Sequence, residues 1–332
     1  MNSQQIILAS RPNGMPDAST FRLEDKQRPE LKAGEVVVKP THFSVDPYMR
    51  GRMNDAKSYI PPFQVGEPLS GGAVAEVTDS KADGFAPRDV VTGNLPWATE
   101  AVVPANGLKK IDTKLAPASY YLGILGMPGL TAYFGLLDIG KPQPGETVVV
   151  SGAAGAVGIV VGQIAKIQGC RVVGIAGSDD KVAMLTEQFG FDAVVNYKTA
   201  PDLTKAIADA CPDGVDIYFD NVGGEVSDAV IANINFHARI PLCGQIAFYN
   251  TTDVPVGPRI QPMLLTRSVL MKGFIVGDYK ERFSEGVRQL AAWVSEGKLR
   301  YTETTVKGFD KLPEALLGLF SGQNTGKMIV EV

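Results

Sequence analysis

The sequence predicts an α/β protein in which a doubly wound parallel sheet is combined with a β-rich domain. From Thr147 onwards, short apolar runs alternate with segments of helical periodicity, a pattern that indicates right-handed βαβ crossovers and a parallel sheet covered on both faces. The part of the chain before Tyr120 instead contains short β-like runs that Gly and Pro separate at close intervals, which is typical of an irregular β-rich fold. The length of 332 residues is sufficient for two such domains.

The β-rich part comes first along the chain. Its predicted strands are Glu35–Lys39, Gly72–Val77, Asp89–Thr92 and Ala101–Val103. The pattern changes near Tyr120, because Tyr120–Leu137 has apolar residues at helical spacing and Lys141–Glu146 then supplies a Pro/Gly turn. The end of the chain again has β-domain character, with the segment Tyr301–Val306, a helix at Asp310–Phe320 and a strand at Lys327–Val332. We therefore expect residues 1–125 and 300–332 to form one domain, into which residues 126–299 are inserted.

The inserted part alternates strand and helix. Its first strands are predicted at Thr147–Ser151, Arg171–Ala176, Ala193–Asn196 and Val215–Phe219, and its first helices at Ala156–Gln168, Asp179–Phe189 and Leu203–Cys211. The alternation continues through Glu225–Ile234 and Ile240–Gly244 to a strand around Met271–Ile275 and an amphipathic helix near Phe283–Glu296. Val148–Val150 and Val172–Ile175 are apolar without alternation, as strands buried on both faces should be.

The composition favours a soluble globular protein with a small-molecule partner. Hydrophobic residues make up 45% of the chain and charged residues 20%, and the formal net charge is −4. Such a charge provides no broad cationic surface for nucleic acid or acidic membranes, and no apolar run reaches the roughly 18 residues of a transmembrane helix. Three cysteines without paired spacing, together with an N-terminus unlike a signal peptide, favour the reducing cytoplasm.

A glycine-rich turn follows the first strand of the inserted part and opens its helix, which is the context of a dinucleotide-binding turn. The three glycine positions of that fingerprint are occupied by Ala153, Gly155 and Gly158, so the first departs from the pattern. Gly155 would let the backbone approach a pyrophosphate, and Gly158 would let the helix pack close to its strand. The alternative is a tight turn in another kind of α/β protein. The predicted phosphate site comprises Gly152, Ala153, Ala154, Gly155, Ala156, Val157 and Gly158.

The end of the second strand indicates which dinucleotide would bind. An NAD site has Asp or Glu there, about 20 residues after the glycines, to bind the ribose 2′-hydroxyl, but this strand ends at Ala176 without a carboxylate at its tip. Asp179 and Asp180 can serve instead as favourable charges in the first helical turn. Lys181 is disfavoured there by the helix dipole, and its place beside Ser178 favours a 2′-phosphate partner. NADPH is therefore favoured over NADH, although a solvated helix lysine remains the alternative.

Several longer strings resemble the medium-chain dehydrogenase/reductase superfamily. The resemblance is to its zinc-free branch, which contains prostaglandin reductases, leukotriene hydroxydehydrogenases, alkenal double-bond reductases and curcumin reductases, and it extends nearly from end to end. The strings are VDPYMRGRM at Val45–Met53, AAGAVG at Ala153–Gly158, VGQIAK at Val161–Lys166, AGSDDK at Ala176–Lys181, NYKT at Asn196–Thr199, FDNVGG at Phe219–Gly224 and NTGKMIV at Asn324–Val330.

This resemblance implies a Rossmann domain beside a GroES-like β domain, and a homodimer. It also implies that Ser178 and Lys181 hold the adenosine 2′-phosphate, that Tyr197 lies beside that ribose, and that Asn221 lies near the cofactor. The matches for the nicotinamide half are weaker strings. They place Cys243, Gly244, Tyr249, Phe274, Ile275 and Val276 along the cofactor. The string NTGKMIV, which is not one of the weaker matches, implies that Asn324 reaches back to the cofactor from the C-terminal segment.

The pattern of zinc ligands found in related alcohol dehydrogenases is missing. The segments that would carry it read Ser44-Val45-Asp46 and Gly66-Glu67-Pro68, with no histidine after the glycine. Three scattered cysteines cannot form a four-cysteine site, and His42 and His237 lack partners at ligand spacing. We therefore expect no metal.

Without a Lewis acid, an enone or alkenal is a better hydride acceptor than a simple ketone, because its β-carbon is already electrophilic. The sequence thus predicts an NADPH-dependent reductase of α,β-unsaturated ketones and aldehydes. Tyr249 and Tyr48 are the candidate donors to the enolate oxygen, although each could instead be a packing tyrosine. Two other functions stay open, an NADPH quinone oxidoreductase and an NADPH-binding protein without catalysis.

Overall fold

The computed structural model describes residues 2–332 and divides into two compact units. The terminal unit holds the chain up to Gly123 together with Glu303–Asn324 and Met328–Val332. The central unit holds Ile124–Thr302 and Thr325–Lys327. Among the described residues, none of the helices combines the length and apolar character that crossing a membrane requires.

The part of the terminal unit before Gly123 is mainly strands, and among its described residues it has one short α-helix. Its elements before Gly123 are β1 (Asn2–Leu8), β2 (Phe21–Gln27), β3 (Glu35–Ser44), α1 (Tyr48–Arg52), β4 (Ser70–Ser80), β5 (Val90–Pro96), β6 (Ala101–Pro104) and β7 (Lys109–Lys110). Short 3₁₀ turns occur at Ala18–Thr20, Ala105–Gly107 and Ala118–Leu122.

The central unit alternates strands and helices. Its elements are α2 (Met127–Phe134), β8 (Thr147–Ser151), α3 (Gly158–Ile167), β9 (Arg171–Ala176), α4 (Asp179–Phe189), β10 (Ala193–Asn196), α5 (Leu203–Ala210), β11 (Val215–Phe219), α6 (Gly224–Ala232), β12 (Ile234–Leu242), α7 (Gln261–Thr266), β13 (Leu270–Gly273) and α8 (Phe283–Ser295). A π-helical segment covers Gly135–Gly140, and 3₁₀ turns cover Ile246–Phe248 and Val276–Arg282.

The chain then returns to the terminal unit. It adds β14 (Glu303–Lys307), a 3₁₀ turn (Phe309–Lys311), α9 (Leu312–Phe320) and β15 (Lys327–Glu331). Strand β15 pairs antiparallel with β3, with Val330 opposite Phe43, and the sheet runs β14-β15-β3-β4-β5-β7 with β6 also paired to β3. A core that includes Val38, Phe43, Trp97 and Leu316 lies against this sheet.

The central sheet is parallel and has the strand order β10-β9-β8-β11-β12-β13. The order reverses between β8 and β11, so this is a doubly wound sheet whose topological switch point lies at the carboxyl ends of these two strands. Val148, Val149 and Val150 are all fully buried, which is why β8 reads as a continuous apolar run. The predicted fold class, a doubly wound α/β sheet with a separate β-rich part, is confirmed.

Two predicted elements were wrong. The helix expected over Tyr120–Leu137 is broken, because Gly123 adopts φ −123° and ψ −106° and separates the 3₁₀ turn from α2. Within α2, Gly129 lies so close to the Ile124 carbonyl that a Cβ would come within 1.8 Å of its oxygen. The predicted boundary between the elements at Glu225–Ile234 and Ile240–Gly244 was also misplaced, because β12 already begins at Ile234. The first part of this strand is not a buried apolar run, because Phe236 is exposed and His237 has a left-handed backbone conformation. Its start is therefore not evident from the sequence.

Candidate functional site

The glycine turn lies at the switch point, between β8 and α3 of the central unit. Gly152 has φ +59°, a left-handed conformation that glycine adopts without strain, and its carbonyl accepts a hydrogen bond from the Gly155 amide at 3.0 Å. A Cβ at Gly158 would lie 2.4 Å from the Gly152 oxygen, so only glycine lets α3 begin this close to the turn. The first amides of α3 follow directly after this turn, and such a helix N-terminus is suited to a phosphate.

The alanine in the first fingerprint position has a structural reason. Ala153 is fully buried, and its Cβ faces Gly174 of β9, where an added Cβ would lie 3.1 Å away. The left-handed residue of the turn is Gly152, one position earlier. The backbone therefore needs no glycine at position 153, and the small alanine packs against the second strand.

A short C-terminal segment lies against the same turn. The Gly326 amide donates to the Ala154 carbonyl at 2.8 Å, and Gly155 and Gly326 form a parallel bridge. Gly326 is left-handed, with φ +66°, and a Cβ there would come within 2.0 Å of the Thr302 oxygen. Asn324, predicted to reach the cofactor, directly precedes this segment, Thr325–Lys327, in the chain.

Ser178, Lys181 and Tyr197 come together at the carboxyl ends of β9 and β10. Ser178 precedes α4 in an extended conformation, and its side chain does not cap the helix. The Tyr197 ring lies against Gly177, where an added Cβ would be 2.9 Å from the ring. Burial lowers the pKa of Lys181, and the positive charge of Lys198 lowers it further. A second lysine, Lys198, which the sequence reasoning did not select, therefore lies close to Lys181.

The nearby carboxylate of Asp179 has a partner of its own. It accepts a hydrogen bond from the Asn196 side-chain amide at 2.7 Å, which ties the start of α4 to the end of β10. Asp179 and Asp180 are exposed in the first turn of α4, where negative charges are favourable. We call the group formed by Ser178, Lys181, Tyr197 and Lys198 the basic cluster.

Asn221 bridges the two strands of the switch point. Its side-chain amide donates to the Ser151 carbonyl at 2.8 Å, and its backbone amide donates to the Ser151 hydroxyl at 2.9 Å. The amide carbonyl of Asn221 is not used in these two bonds. The loop after β12 is attached here as well, because the Ala247 amide donates to the Val222 carbonyl at 3.0 Å.

Behind Asn221 lies Asp220, a carboxylate that is 1% exposed. Its donors come from strand ends, from the loop after β11, from α6 and from the loop after β12. They are the hydroxyls of Ser151, Tyr218 and Ser227, the amides of Val222 and Gly223, and the side chain of Gln245. Sequence reasoning missed this residue, although a carboxylate that directly follows an apolar strand was a usable signal.

The loop after β12 holds three of the residues predicted for the nicotinamide half. The Gln245 amide donates to the Tyr249 hydroxyl at 3.4 Å, which leaves the phenolic proton available for another acceptor. Burial raises the pKa of Tyr249. Burial, with the charge of Asp220 adding to it, also raises the pKa of the Cys243 thiol to about 12, so Cys243 is held as a neutral thiol. Gly244 lies beside the Tyr249 hydroxyl, 3.4 Å from the position of an added Cβ.

The remaining predicted segment, Phe274–Val276, follows β13. The Phe274 side chain is buried and meets the Phe219 ring edge to face, with 6.3 Å between the ring centroids. Gly135 makes room for it, since a Cβ there would lie 2.4 Å from the Phe274 ring. The side chain of Phe274 is therefore part of the core, whereas Ile275 is 38% exposed.

Tyr48 belongs to the terminal unit, at the start of α1. It packs against the core of that unit. Burial raises the pKa of its hydroxyl, the charge of Asp46 raises it further, and a hydrogen bond with Arg52 opposes the shift. Arg52 is fixed by the Phe63 ring, whose centroid is 3.8 Å from the guanidinium carbon, and by a 3.0 Å bond from its Nε to the Pro61 carbonyl.

Over the described part of the chain, no three His, Cys, Asp or Glu side chains are grouped so that they could hold a metal ion. His42 lies half-buried, with its Nδ1 at 3.0 Å from the Thr41 hydroxyl. All three cysteines are free thiols.

Comparisons with known proteins give a consistent result. Residues 4–111 match the model of the N-terminal domain of oxidoreductases, and residues 156–293 match the model described as zinc-binding dehydrogenase. YfmJ of Bacillus subtilis (strain 168), provisionally named an NADP-dependent oxidoreductase, is 58% identical over 100% of this chain and 98% of its own length. The NADP(+)-dependent 2-alkenal reductase of Nicotiana tabacum is 42% identical over 100% of this chain and 98% of its own.

A solved structure agrees with these relatives. The crystal structure of CurA from Vibrio vulnificus in complex with NADPH is similar with a TM-score of 0.94 and 42% identity, and the match covers 99% of each chain. From the two domain models and these near full-length relatives, the chain belongs to the medium-chain dehydrogenase/reductase superfamily, in its alkenal reductase branch.

Proposed function

We propose that this protein is an NADPH-dependent reductase that transfers a hydride to the β-carbon of α,β-unsaturated ketones and aldehydes. The observation that carries the proposal is the basic cluster at the ends of β9 and β10, on one side of a glycine turn at the switch point. A dinucleotide bound across this point would place its adenosine half over β9 and β10 and its other half over β11 and β12. The named activity of the 2-alkenal reductase relative supports the choice of acceptor.

The residues present fit the cofactor. The turn from Gly152 to Gly158 would hold the pyrophosphate, because it leads directly into the N-terminus of α3. Gly158 lets that helix begin close to the turn, since a Cβ there would lie 2.4 Å from the Gly152 oxygen. Ser178, Lys181 and Lys198 supply a hydroxyl and two cations for a 2′-phosphate, and Tyr197 would flank the ribose. The remaining positions lie at the strand ends on the nicotinamide side, where NADPH supplies a hydride when bound. They are Asn221, Cys243, Gly244, Tyr249 and the backbone of Phe274–Val276. Asn324, which belongs to the terminal unit, is the last residue proposed for the cofactor.

The protein side of the reaction is orientation and proton supply. Addition of hydride to the β-carbon leaves negative charge on the carbonyl oxygen of the substrate, and a positioned hydroxyl stabilises that charge. Tyr249 and Tyr48 are the proposed donors. Tyr249 accepts a bond from Gln245, so its own O–H can donate a hydrogen bond to that oxygen. The enolate then returns to the carbonyl as its α-carbon takes up one proton, either from this hydroxyl, which regains its proton from water, or from water directly.

We further propose that the reaction does not use zinc. The segments that would carry the zinc ligands of related alcohol dehydrogenases read Ser44-Val45-Asp46 and Gly66-Glu67-Pro68, with no histidine after the glycine. Activity that persists after exhaustive chelation, with zinc below stoichiometry by metal analysis, is the expected result.

The acceptor is tested by steady-state oxidation of NADPH. We would offer a short 2-alkenal, a long-chain enone and a benzoquinone in parallel, and identify the product by mass. Reduction of the C=C bond of the first two at a higher kcat/KM than for the quinone is expected. A clear preference for the quinone would favour a quinone oxidoreductase, and tight NADPH binding without turnover of any acceptor would favour a binding protein.

We also propose a cytoplasmic homodimer. The three free cysteines suit a reducing compartment. Strand β13 is the edge of the parallel sheet, and Phe236, Leu265 and Leu270, on or near this edge, are 69%, 80% and 50% exposed. An open edge strand with exposed apolar neighbours is a surface that a second copy would cover.

A further inference from the structure

We propose that the buried carboxylate of Asp220 is an electrostatic determinant of cofactor redox preference, favouring the oxidised over the reduced nicotinamide. The inference rests on the proposed function, because it assumes that NADP⁺ and NADPH occupy the central unit. It concerns a residue to which the reaction described above gives no role.

The position of Asp220 is the first argument. It directly follows β11, at the switch point, and its backbone carbonyl accepts bonds from the Cys243 amide at 2.9 Å and the Gly244 amide at 3.1 Å. The basic cluster marks the adenosine side at β9 and β10. The carboxylate therefore lies under the opposite half, where the nicotinamide would be bound.

The second argument is the charge itself. A carboxylate that is 1% exposed is largely shielded from water, so its field acts over longer distances than that of a surface carboxylate. Three of its donors are nitrogen groups that cannot accept a hydrogen bond, namely the backbone amides of Val222 and Gly223 and the side-chain amide nitrogen of Gln245, and this environment suits an anion. The positive end of α6 weakens the field but does not remove it.

Two neighbouring groups, Cys243 and Tyr249, lie within reach of this charge. After burial, the charge of Asp220 is the next cause that raises the pKa of the Cys243 thiol. It also contributes to the raised pKa of Tyr249. Both residues lie in the loop that lines the nicotinamide side, so the same field extends to a group bound there.

The two forms of the cofactor respond differently to such a field. Loss of a hydride, which carries two electrons and one proton, converts a neutral dihydronicotinamide into a cation. A fixed negative charge near the bound nicotinamide would stabilise only the cation. It therefore strengthens NADP⁺ binding relative to NADPH binding, and it lowers the cost of the charge that develops during hydride transfer.

Asp220→Asn removes the charge while keeping the shape. We would measure the Kd of NADP⁺ and of NADPH separately by calorimetry at fixed ionic strength, for the wild type and the variant. The ratio of the NADP⁺ Kd to the NADPH Kd is expected to rise about fivefold. Equal weakening of both nucleotides would mean that Asp220 is only a structural hydrogen-bond acceptor, and the inference would be overturned.

Ser227→Ala is the matched control. Ser227 donates to the same carboxylate from α6, so its removal disturbs the hydrogen bonds of Asp220 but leaves the charge. The Kd ratio should stay at the wild-type value, and a shift as large as that of Asp220→Asn would contradict an electrostatic cause.

A second route covers the case in which Asp220→Asn does not fold. Gln245 is only partly buried and its side chain donates to Asp220 at 3.0 Å, so Gln245→Lys would neutralise the carboxylate by pairing with it. The ratio should shift in the same direction, and an unchanged ratio in a folded Gln245→Lys variant would overturn the inference. Failure of the wild type to bind either nucleotide would instead contradict the proposed function.

Discussion

Lys198 brings its positive charge close to Lys181, whose pKa burial has already lowered. Two like charges held together at the ends of β9 and β10 repel each other, and an anion between them would relieve the repulsion. Neither lysine alone indicates an anion site of this kind, because the two are separated in the chain. Lys198 comes from the connection after β10, and Lys181 comes from the first turn of α4.

Replacing these lysines should weaken NADPH selectively. For Lys181→Met we expect the KM for NADPH to rise roughly ten- to a hundredfold, the value of one charge-assisted hydrogen bond. For the more exposed Lys198, Lys198→Met should raise it roughly two- to fivefold. The KM for NADH, which lacks the 2′-phosphate, should hardly change.

The control for this pair is Lys205→Met. Lys205 is an exposed lysine of the same unit and is paired with Asp209 at 2.6 Å. Its replacement should leave both KM values unchanged. Equal losses for NADPH and NADH in the Lys181 variant would indicate damage to the fold and not the loss of a phosphate contact.

The glycine turn should tolerate no side chain at position 158. In Gly158→Ala the new Cβ would meet the Gly152 oxygen at 2.4 Å, so the start of α3 must shift away from the turn. We expect NADPH affinity, measured by fluorescence titration, to fall by at least tenfold, a loss of about 1.4 kcal/mol. Gly107→Ala, at a site where an added Cβ meets nothing within 4 Å, should bind as the wild type does.

Features of the fold and of the site could be predicted from the sequence where the residues that form them are close together in the chain. Strands such as Thr147–Ser151 and Arg171–Ala176 were predicted with the bounds that the structure shows, because burial on both faces leaves an uninterrupted apolar run. The Asp220 site was missed, because its donors Ser227 and Gln245 lie 7 and 25 residues further along the chain. Only the folded sheet brings them to one carboxylate.

The phenol of Tyr249 should act in its protonated form. Burial raises its pKa above the ordinary value of 10.0, so the hydroxyl keeps its proton up to at least that pH, and the donor is lost only in more alkaline solution. We expect kcat on an enone to show no fall from this group between pH 6 and pH 9, a range that lies about one unit or more below an ordinary phenol pKa.

Tyr249→Phe tests the same donor directly. Loss of a hydroxyl that stabilises the developing oxyanion should lower kcat by about a hundredfold, with a smaller change in the Kd for NADPH. Tyr121→Phe removes a hydroxyl that donates to the Asp112 carbonyl in the terminal unit, and it should retain full kcat. A Tyr249→Phe enzyme with wild-type kcat would leave Tyr48 or water as the donor.

The exposed apolar residues near the edge strand should determine the oligomeric state. Leu265 in α7 is 80% exposed in a single copy of the chain, and a charge at this position would be buried without a partner if a second copy covers it. We therefore expect Leu265→Glu to convert a dimer into a monomer in sedimentation velocity. Leu115→Glu is the matched control, because Leu115 is 81% exposed and belongs to the terminal unit, not to the unit that contains the edge strand. If the wild type sediments as a monomer, or if both variants dissociate equally, the proposed interface is wrong.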